Sequence, residues 1–341
     1  MNLSSDEENT LKLIIVASEN DPLKPEFPAD NPKFPATPTY KIDVPGFSDV
    51  WIKDESFNPT GTHKDRMAWE IIVTYRNFLL AKKNGQTKGP LPAMSIISSG
   101  SAAIAIQTLL RKYNLPNLKV LIDPKSELTN LPLMKRLGCE VYETDLAKKA
   151  LHWKEILKLT LNPEGFDITS SEALDPSTRF YDWLSYEIIN SSPDYCFIPF
   201  GTGNLFENIL NVNKDEISSA THDPRFKGNV EKLRHCNFMA ATTDDPGSKA
   251  EKLYSPHLPF VHYNEQWMRL YKHAGFCGPE SNVYVLEESF LDKAIQLADK
   301  LNISAEPSGI AGLALLLLLK PKLPSDKKML IVNTGKTKVV K

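Results

Sequence analysis

Residues 53–66, Lys-Asp-Glu-Ser-Phe-Asn-Pro-Thr-Gly-Thr-His-Lys-Asp-Arg, place a lysine where a lysine is unfavourable. Val50, Trp51 and Ile52 predict a strand, and Asn58-Pro59-Thr60-Gly61 is a turn signal. A helical pattern starts at once, so Lys64 falls in a first helical turn. The positive end of the helix dipole opposes an ammonium group there. It suits a phosphate or carboxylate instead. An amine whose charged form is disfavoured is the better nucleophile. A solvated surface lysine is the plain alternative.

Three further segments bear on that choice. Ser98-Ser99-Gly100-Ser101 lies between a predicted strand and a helix of small residues. Its hydroxyls and free N–H groups make either an anion site or a simple N-cap. Phe197 to Leu205 reads as a strand, a Gly201-Thr202-Gly203 turn and a helix opening at Asn204-Leu205. Glycines there admit close approach of backbone to a ligand, and the N–H groups can cradle a phosphate. Such a turn is also common without a ligand. A dinucleotide fingerprint fails because Phe206 stands where its third glycine belongs. Glu306-Pro307-Ser308-Gly309 precedes an apolar helix, and a last strand runs into Asn333-Thr334-Gly335.

The elements that must position these residues alternate. Helices are predicted over 67–83, 102–113, 128–137, 146–159, 177–189, 205–212, 288–301 and 309–319. Strands are predicted over 93–97, 119–122, 141–143, 195–199, 237–241 and 329–332. This order argues for parallel sheets built of βαβ units, whose ligands bind beyond the carboxyl ends of the strands. Residues 20–49 carry seven prolines, from Pro22 to Pro45, and read as an extended strap.

Taken in order, the segments resemble the pyridoxal-phosphate (PLP) enzymes of the tryptophan-synthase-β fold, fold type II. The 53–66 stretch looks most like threonine synthase, while His63-Lys64 is closer to tryptophan synthase β. Ala36-Thr37-Pro38 and Leu137-Gly138-Cys139-Glu140-Val141 are weaker echoes, and the likeness spans roughly residues 35 to 336. It implies an α/β fold of two doubly wound parallel-sheet domains with PLP in the cleft between them. The expected division is residues 1–52 as strap and part of the larger domain, 53–165 as the smaller domain and 166–341 as the larger.

The resemblance also implies roles. Lys64 carries PLP as a Schiff base and serves as general base; His63 assists near the phosphate or packs there. Ser98, Ser99 and Gly100 hold the substrate carboxylate. Ser101 stands where the family has an asparagine that contacts the cofactor. Gly201, Thr202, Gly203, Asn204 and Leu205 hold the cofactor phosphate, Glu306 lines the pocket, and Thr334 bonds the pyridine nitrogen. The family continues Thr-Gly-x-Gly, whereas Lys336-Thr337 follow Gly335 here. The implied reaction is β/γ-elimination or replacement on an amino acid, threonine synthase-like (O-phosphohomoserine to threonine). Arg66, Arg179 and Lys249 are the cations considered for that substrate's phosphate. A cysteine synthase-like or serine/threonine dehydratase-like enzyme and a non-catalytic PLP-binding homologue are the alternatives. A homodimer is the family expectation.

The composition is that of an ordinary globular protein. Its 40 basic and 42 acidic residues leave a formal charge of −2, so no excess of positive charge points to nucleic acid or a membrane surface. The longest apolar run, 309–319, is about half of what a bilayer needs, and the N-terminal residues lack a signal-peptide pattern; a cytoplasmic enzyme is expected. Cys139, Cys196, Cys236 and Cys277 form no Cys-x-x-Cys pair and no metal is expected; Cys139 and Cys196 read as buried apolar residues.

Overall fold

The computed structural model describes residues 22–23, 34–124, 130–146, 148, 151–169, 179–254 and 265–338. The first half of the chain carries β1 (Thr39–Ile42), β2 (Val50–Asp54), α1 (Lys64–Lys83), β3 (Met94–Ile97), α2 (Ser101–Lys112), β4 (Lys119–Ile122), α3 (Leu131–Leu137), β5 (Glu140–Glu143), α4 (Trp153–Leu159) and β6 (Phe166–Asp167). The second half carries α5 (Asp182–Asn190), β7 (Tyr195–Pro199), α6 (Asn204–Ser218), α7 (Val230–His235), β8 (Asn237–Thr242), α8 (Glu265–His273), β9 (Asn282–Val285), α9 (Glu288–Lys300), α10 (Ala311–Leu319) and β10 (Met329–Asn333). Two compact units result. One holds Lys64–Phe180 with the terminal segments up to Pro35 and from Thr337; the other holds Ala36–His63 and Tyr181–Lys336.

The first unit is built on a parallel sheet in the order β5-β4-β3-β6. Helix α1 packs on α2, α2 on α3, and α4 on β3 and β6. The small residues of α2 (Ala102, Ala103, Ala105) are buried, which lets α1 approach closely. Arg66 of α1 is itself buried, its guanidinium 4.7 Å from the centre of the Phe34 ring.

The second unit carries a six-stranded sheet in the order β1-β2-β10-β7-β8-β9. All neighbours are parallel except the edge strand β1, which runs antiparallel to β2. All five residues of β7 and of β10 are buried, as expected of inner parallel strands. Helix α10 is apolar on every face because it is buried against β7, β8 and β10 on one side and α9 on the other.

The alternation expected from the sequence is present, with corrections. The strand ending at Ile52 continues through Lys53 and Asp54, both buried. The helix predicted from residue 146 begins at Trp153, because His152 and Glu155 form a capping box there; residues 147, 149 and 150 lie outside the described set. The helix expected to end at Val212 runs on to Ser218, no breaker intervening. Within the proline-rich strap, Thr39–Ile42 pairs as an edge strand, the place where nearby prolines are tolerated. Short elements β6, β9, α7 and α8 were not anticipated. The expected helix starts at 128 and 177, and most of the strap, fall outside the described residues.

Candidate active site

The turn leading to Lys64 is set by buried charge. Lys53 is 1 % exposed and Glu55 is wholly buried. Lys53 Nζ donates to the Thr37 carbonyl at 2.6 Å, pairs with Glu187 and lies 3.9 Å from Glu55. Glu55 accepts from Thr37 Oγ1 at 2.5 Å and from Asn58 Nδ2 at 2.7 Å. Asn58 Nδ2 also donates to the Thr62 carbonyl at 3.0 Å, closing the turn. Asp54 accepts from the Tyr40 hydroxyl at 2.8 Å, the Ser56 N–H at 3.0 Å and Asn333 Nδ2 at 2.8 Å. Burial, then Asp54, raises the Tyr40 phenol above its ordinary range. The charges of the 53–58 motif are therefore framework.

That framework joins the turn to the end of β10. Thr62 bridges Gly335, the Lys336 N–H donates to the Gly61 carbonyl at 2.9 Å and the His63 N–H to the Thr334 carbonyl at 3.1 Å. Gly335 has φ +91°, and a Cβ on it would lie 2.1 Å from the Gly61 oxygen, so only glycine fits. The His63 ring stacks at a tilt on Tyr181, centroids 5.4 Å apart. Lys64, next along, is half-buried and is the first residue of α1. Its predicted place in the first turn is thus observed.

The Glu306 turn packs on the same corner. The Glu306 N–H donates to the Gly335 carbonyl at 3.2 Å and the Thr334 N–H to the Gly309 carbonyl at 3.1 Å. Glu306 pairs with Lys252 at 2.5 Å, and the Lys252 backbone carbonyl packs on Gly201. Lys252 was not anticipated; no local pattern marks a lysine paired 54 positions away. The second unit thus brings together His63, Gly201, Glu306 and Thr334. Among the described residues the Thr334 hydroxyl has no hydrogen-bond partner, although the residue is only 8 % exposed.

The Gly-x-Gly turn sits beyond the carboxyl end of β7 and opens α6. Among the described residues, the N–H groups of Gly201, Thr202, Gly203, Asn204 and Leu205 meet no acceptor. Adjacent donors at the head of a long helix form an anion cradle. A phosphate monoester fits them, and the Thr334 hydroxyl, both donor and acceptor, fits a ring nitrogen.

In the first unit the Ser98 loop sits beyond β3 and opens α2. Ser98 Oγ accepts from the N–H groups of Gly100 at 3.2 Å and Ala103 at 3.4 Å, so it caps as well as lines the loop. The N–H groups of Ser99, Ser101 and Ala102 have no acceptor among the described residues. Ser101 Oγ lies 2.6 Å from Thr337 Oγ1. The two places where the sequence leaves the family pattern therefore meet, which neither stretch reveals alone.

Of the cations considered for a second phosphate, Arg66 is occupied over Phe34 and Lys249 pairs with Asp292. All four cysteines are buried, and burial pushes the Cys139 thiol up to about 12, so it is no nucleophile at neutral pH. No helix among the described residues is long and apolar enough to cross a membrane.

Residues 33–335 match the model of a family described as pyridoxal-phosphate dependent enzyme. No curated protein matches the chain. Among solved structures, O-ureido-L-serine synthase superposes with a TM-score of 0.61 at 16% identity, over 88% of this chain and 89% of that one. A hydrogen sulfide-producing enzyme from Fusobacterium nucleatum gives 0.60 at 20% identity, over 88% and 95%. Diaminopropionate ammonia lyase from Escherichia coli, solved with an aminoacrylate-PLP azomethine intermediate, gives 0.61 at 14% identity, over 98% and 90%.

Proposed function

The chain belongs to the pyridoxal-phosphate dependent enzyme family, and from that premise we propose that it catalyses elimination or replacement at the β-carbon of a small amino acid. The observation that carries this reading is the cradle of unclaimed N–H groups at 201–205. The cofactor, pyridoxal 5′-phosphate, supplies when bound an electron sink for charge developing at the substrate α-carbon. Gly201, Thr202, Gly203, Asn204 and Leu205 hold its phosphate, and Glu306, fixed by Lys252, shapes the wall beside them. Lys64 anchors it through Nζ and, once released, takes the α-proton as general base. Ser98, Ser99 and Gly100 bind the substrate carboxylate. Ser101, held by Thr337, borders that loop, where it would meet the cofactor in place of the family's asparagine. His63 fixes the approach to Lys64 through Thr334. Thr334 hydrogen-bonds the ring nitrogen without holding it protonated as an aspartate would, which favours elimination and replacement over transamination.

Serine, threonine or an O-acylserine is the substrate class of this reading. The likeness of residues 53–66 to threonine synthase is the ground for a second one, γ-replacement on O-phosphohomoserine. That substrate needs a further cation; of the three considered, Arg66 lies over the Phe34 ring and Lys249 pairs with Asp292.

The test is a visible absorption spectrum of the purified protein, followed by borohydride reduction and peptide mapping. A cofactor band trapped on Lys64, lost in Lys64→Ala, supports the reading. Its absence after addition of cofactor, or turnover surviving in Lys64→Ala, overturns it. Steady-state assays with L-serine, L-threonine and O-phosphohomoserine then separate the two substrate classes.

A further inference from the structure

Asn130 stands immediately before α3 and is only 5 % exposed. Its side chain makes no capping bond to α3, and its amide has no hydrogen-bond partner among the described residues. Among the described residues the one side-chain polar atom both fully buried and without a partner is Asn213 Oδ1, so the Asn130 amide reaches open space, where a ligand can meet it.

Its surroundings indicate what that is. Gly100 has φ +145°, and a Cβ built there would lie 2.7 Å from Asn130 Nδ2 and 2.8 Å from Asn130 Cβ. The amide thus occupies the space that any side chain at position 100 would need. It lies against the loop whose Ser99, Ser101 and Ala102 N–H groups also lack acceptors. The loop's unclaimed backbone groups are donors, and the Asn130 amide nitrogen adds two more N–H bonds beside its acceptor oxygen. Clustered backbone donors match a carboxylate, whose two oxygens accept several bonds. Ser101, by contrast, has its hydroxyl engaged with Thr337 and brings no amide.

We propose that Asn130 is a substrate-binding residue whose side-chain N–H₂ group, with the loop N–H groups, holds the α-carboxylate of the amino acid. It supplies from the start of α3 the amide that position 101 does not. This rests on the reading above that the loop takes an amino acid.

The test is a titration of the holoenzyme with L-serine and L-alanine, following the cofactor's visible band, for wild type, Asn130→Ala and Asn130→Asp. Loss of a hydrogen bond to a charged group corresponds to about tenfold or more in Kd. Asn130→Ala is expected to bind both amino acids at least about tenfold more weakly, and the isosteric Asn130→Asp more weakly still, because it sets a carboxylate against a carboxylate. The ligand-free band stays where it is in all three. Wild-type Kd in both variants overturns the proposal. So does Asn130→Asp binding as wild type, which marks a space-filling role, or a displaced ligand-free band with unchanged Kd, which puts the amide on the cofactor. A wild-type band that answers neither amino acid also overturns it. A wild-type protein with no band at all refutes the parent reading, and this one with it.

Discussion

At the scale of single residues, Thr334 is the most exacting test of how charge is handled. Its backbone is fixed on both sides, N–H to Gly309 and carbonyl to His63, while its hydroxyl is uncommitted among the described residues. Thr334→Ser is expected to keep turnover within a few-fold, and Thr334→Ala to lower kcat/KM by roughly tenfold, the worth of one hydrogen bond. Kinetics with the preferred substrate check this. Asp167 offers a test in pH. It is 5 % exposed, and burial raises its carboxyl above the usual range, against the lowering effect of hydrogen bonds from the Thr169 hydroxyl at 2.6 Å and N–H at 3.0 Å. A raised folded-state value means that the native protein binds this proton more tightly than the unfolded chain. The stability it contributes is complete below the unfolded value and is lost as pH rises through the folded one. Asn can accept the same two bonds without charge. Asp167→Asn is therefore expected to match or exceed wild-type stability at pH 7, with the difference closing as pH falls through the carboxylate range. Denaturant unfolding across pH measures it.

At the scale of elements, the lysine motif is held by a strand that ends in buried charge. Removing Lys53 leaves Glu55 buried without its cation, and breaking such a pair from one side costs about 3–5 kcal/mol. Lys53→Met is expected to lose that much in denaturant unfolding, with the cofactor band intact in whatever fraction folds. The element order and the head-of-helix position of Lys64 were legible in the sequence because both rest on local signals: apolar period, turn residues and the small residues of α2. The continuation of β2 through Lys53 and Asp54 was not. Two charged residues read as the end of a strand, and their partners, Glu187 and Asn333, lie far along the chain. The Ser101–Thr337 pair and Asn130 escaped for the same reason: each contact joins residues that no short pattern links.

At the scale of the whole molecule, the order of the strands departs furthest from the order of the chain. β2 pairs with β10, Val50 opposite Met329, and β10 also pairs with β7. The sheet of the second unit is therefore incomplete until nearly all of the chain is available. The four-stranded sheet of the first unit uses only residues 94–167. Closing long loops before their contacts reward them slows folding. In pulsed hydrogen exchange during refolding, the amides of Ile96 and Val120 are expected to gain protection before those of Ile52 and Ile331; simultaneous protection would refute that order. The buried charges at 53–58 carry one more consequence, for how such sequences are searched. Lys53, Asp54, Glu55 and Asn58 serve the turn whether or not an amine stands at position 64. Natural selection for folding alone would preserve them in a descendant that had lost its chemistry. A match to that stretch identifies the scaffold, and only the residues whose donors are left unclaimed by the scaffold say whether it still works.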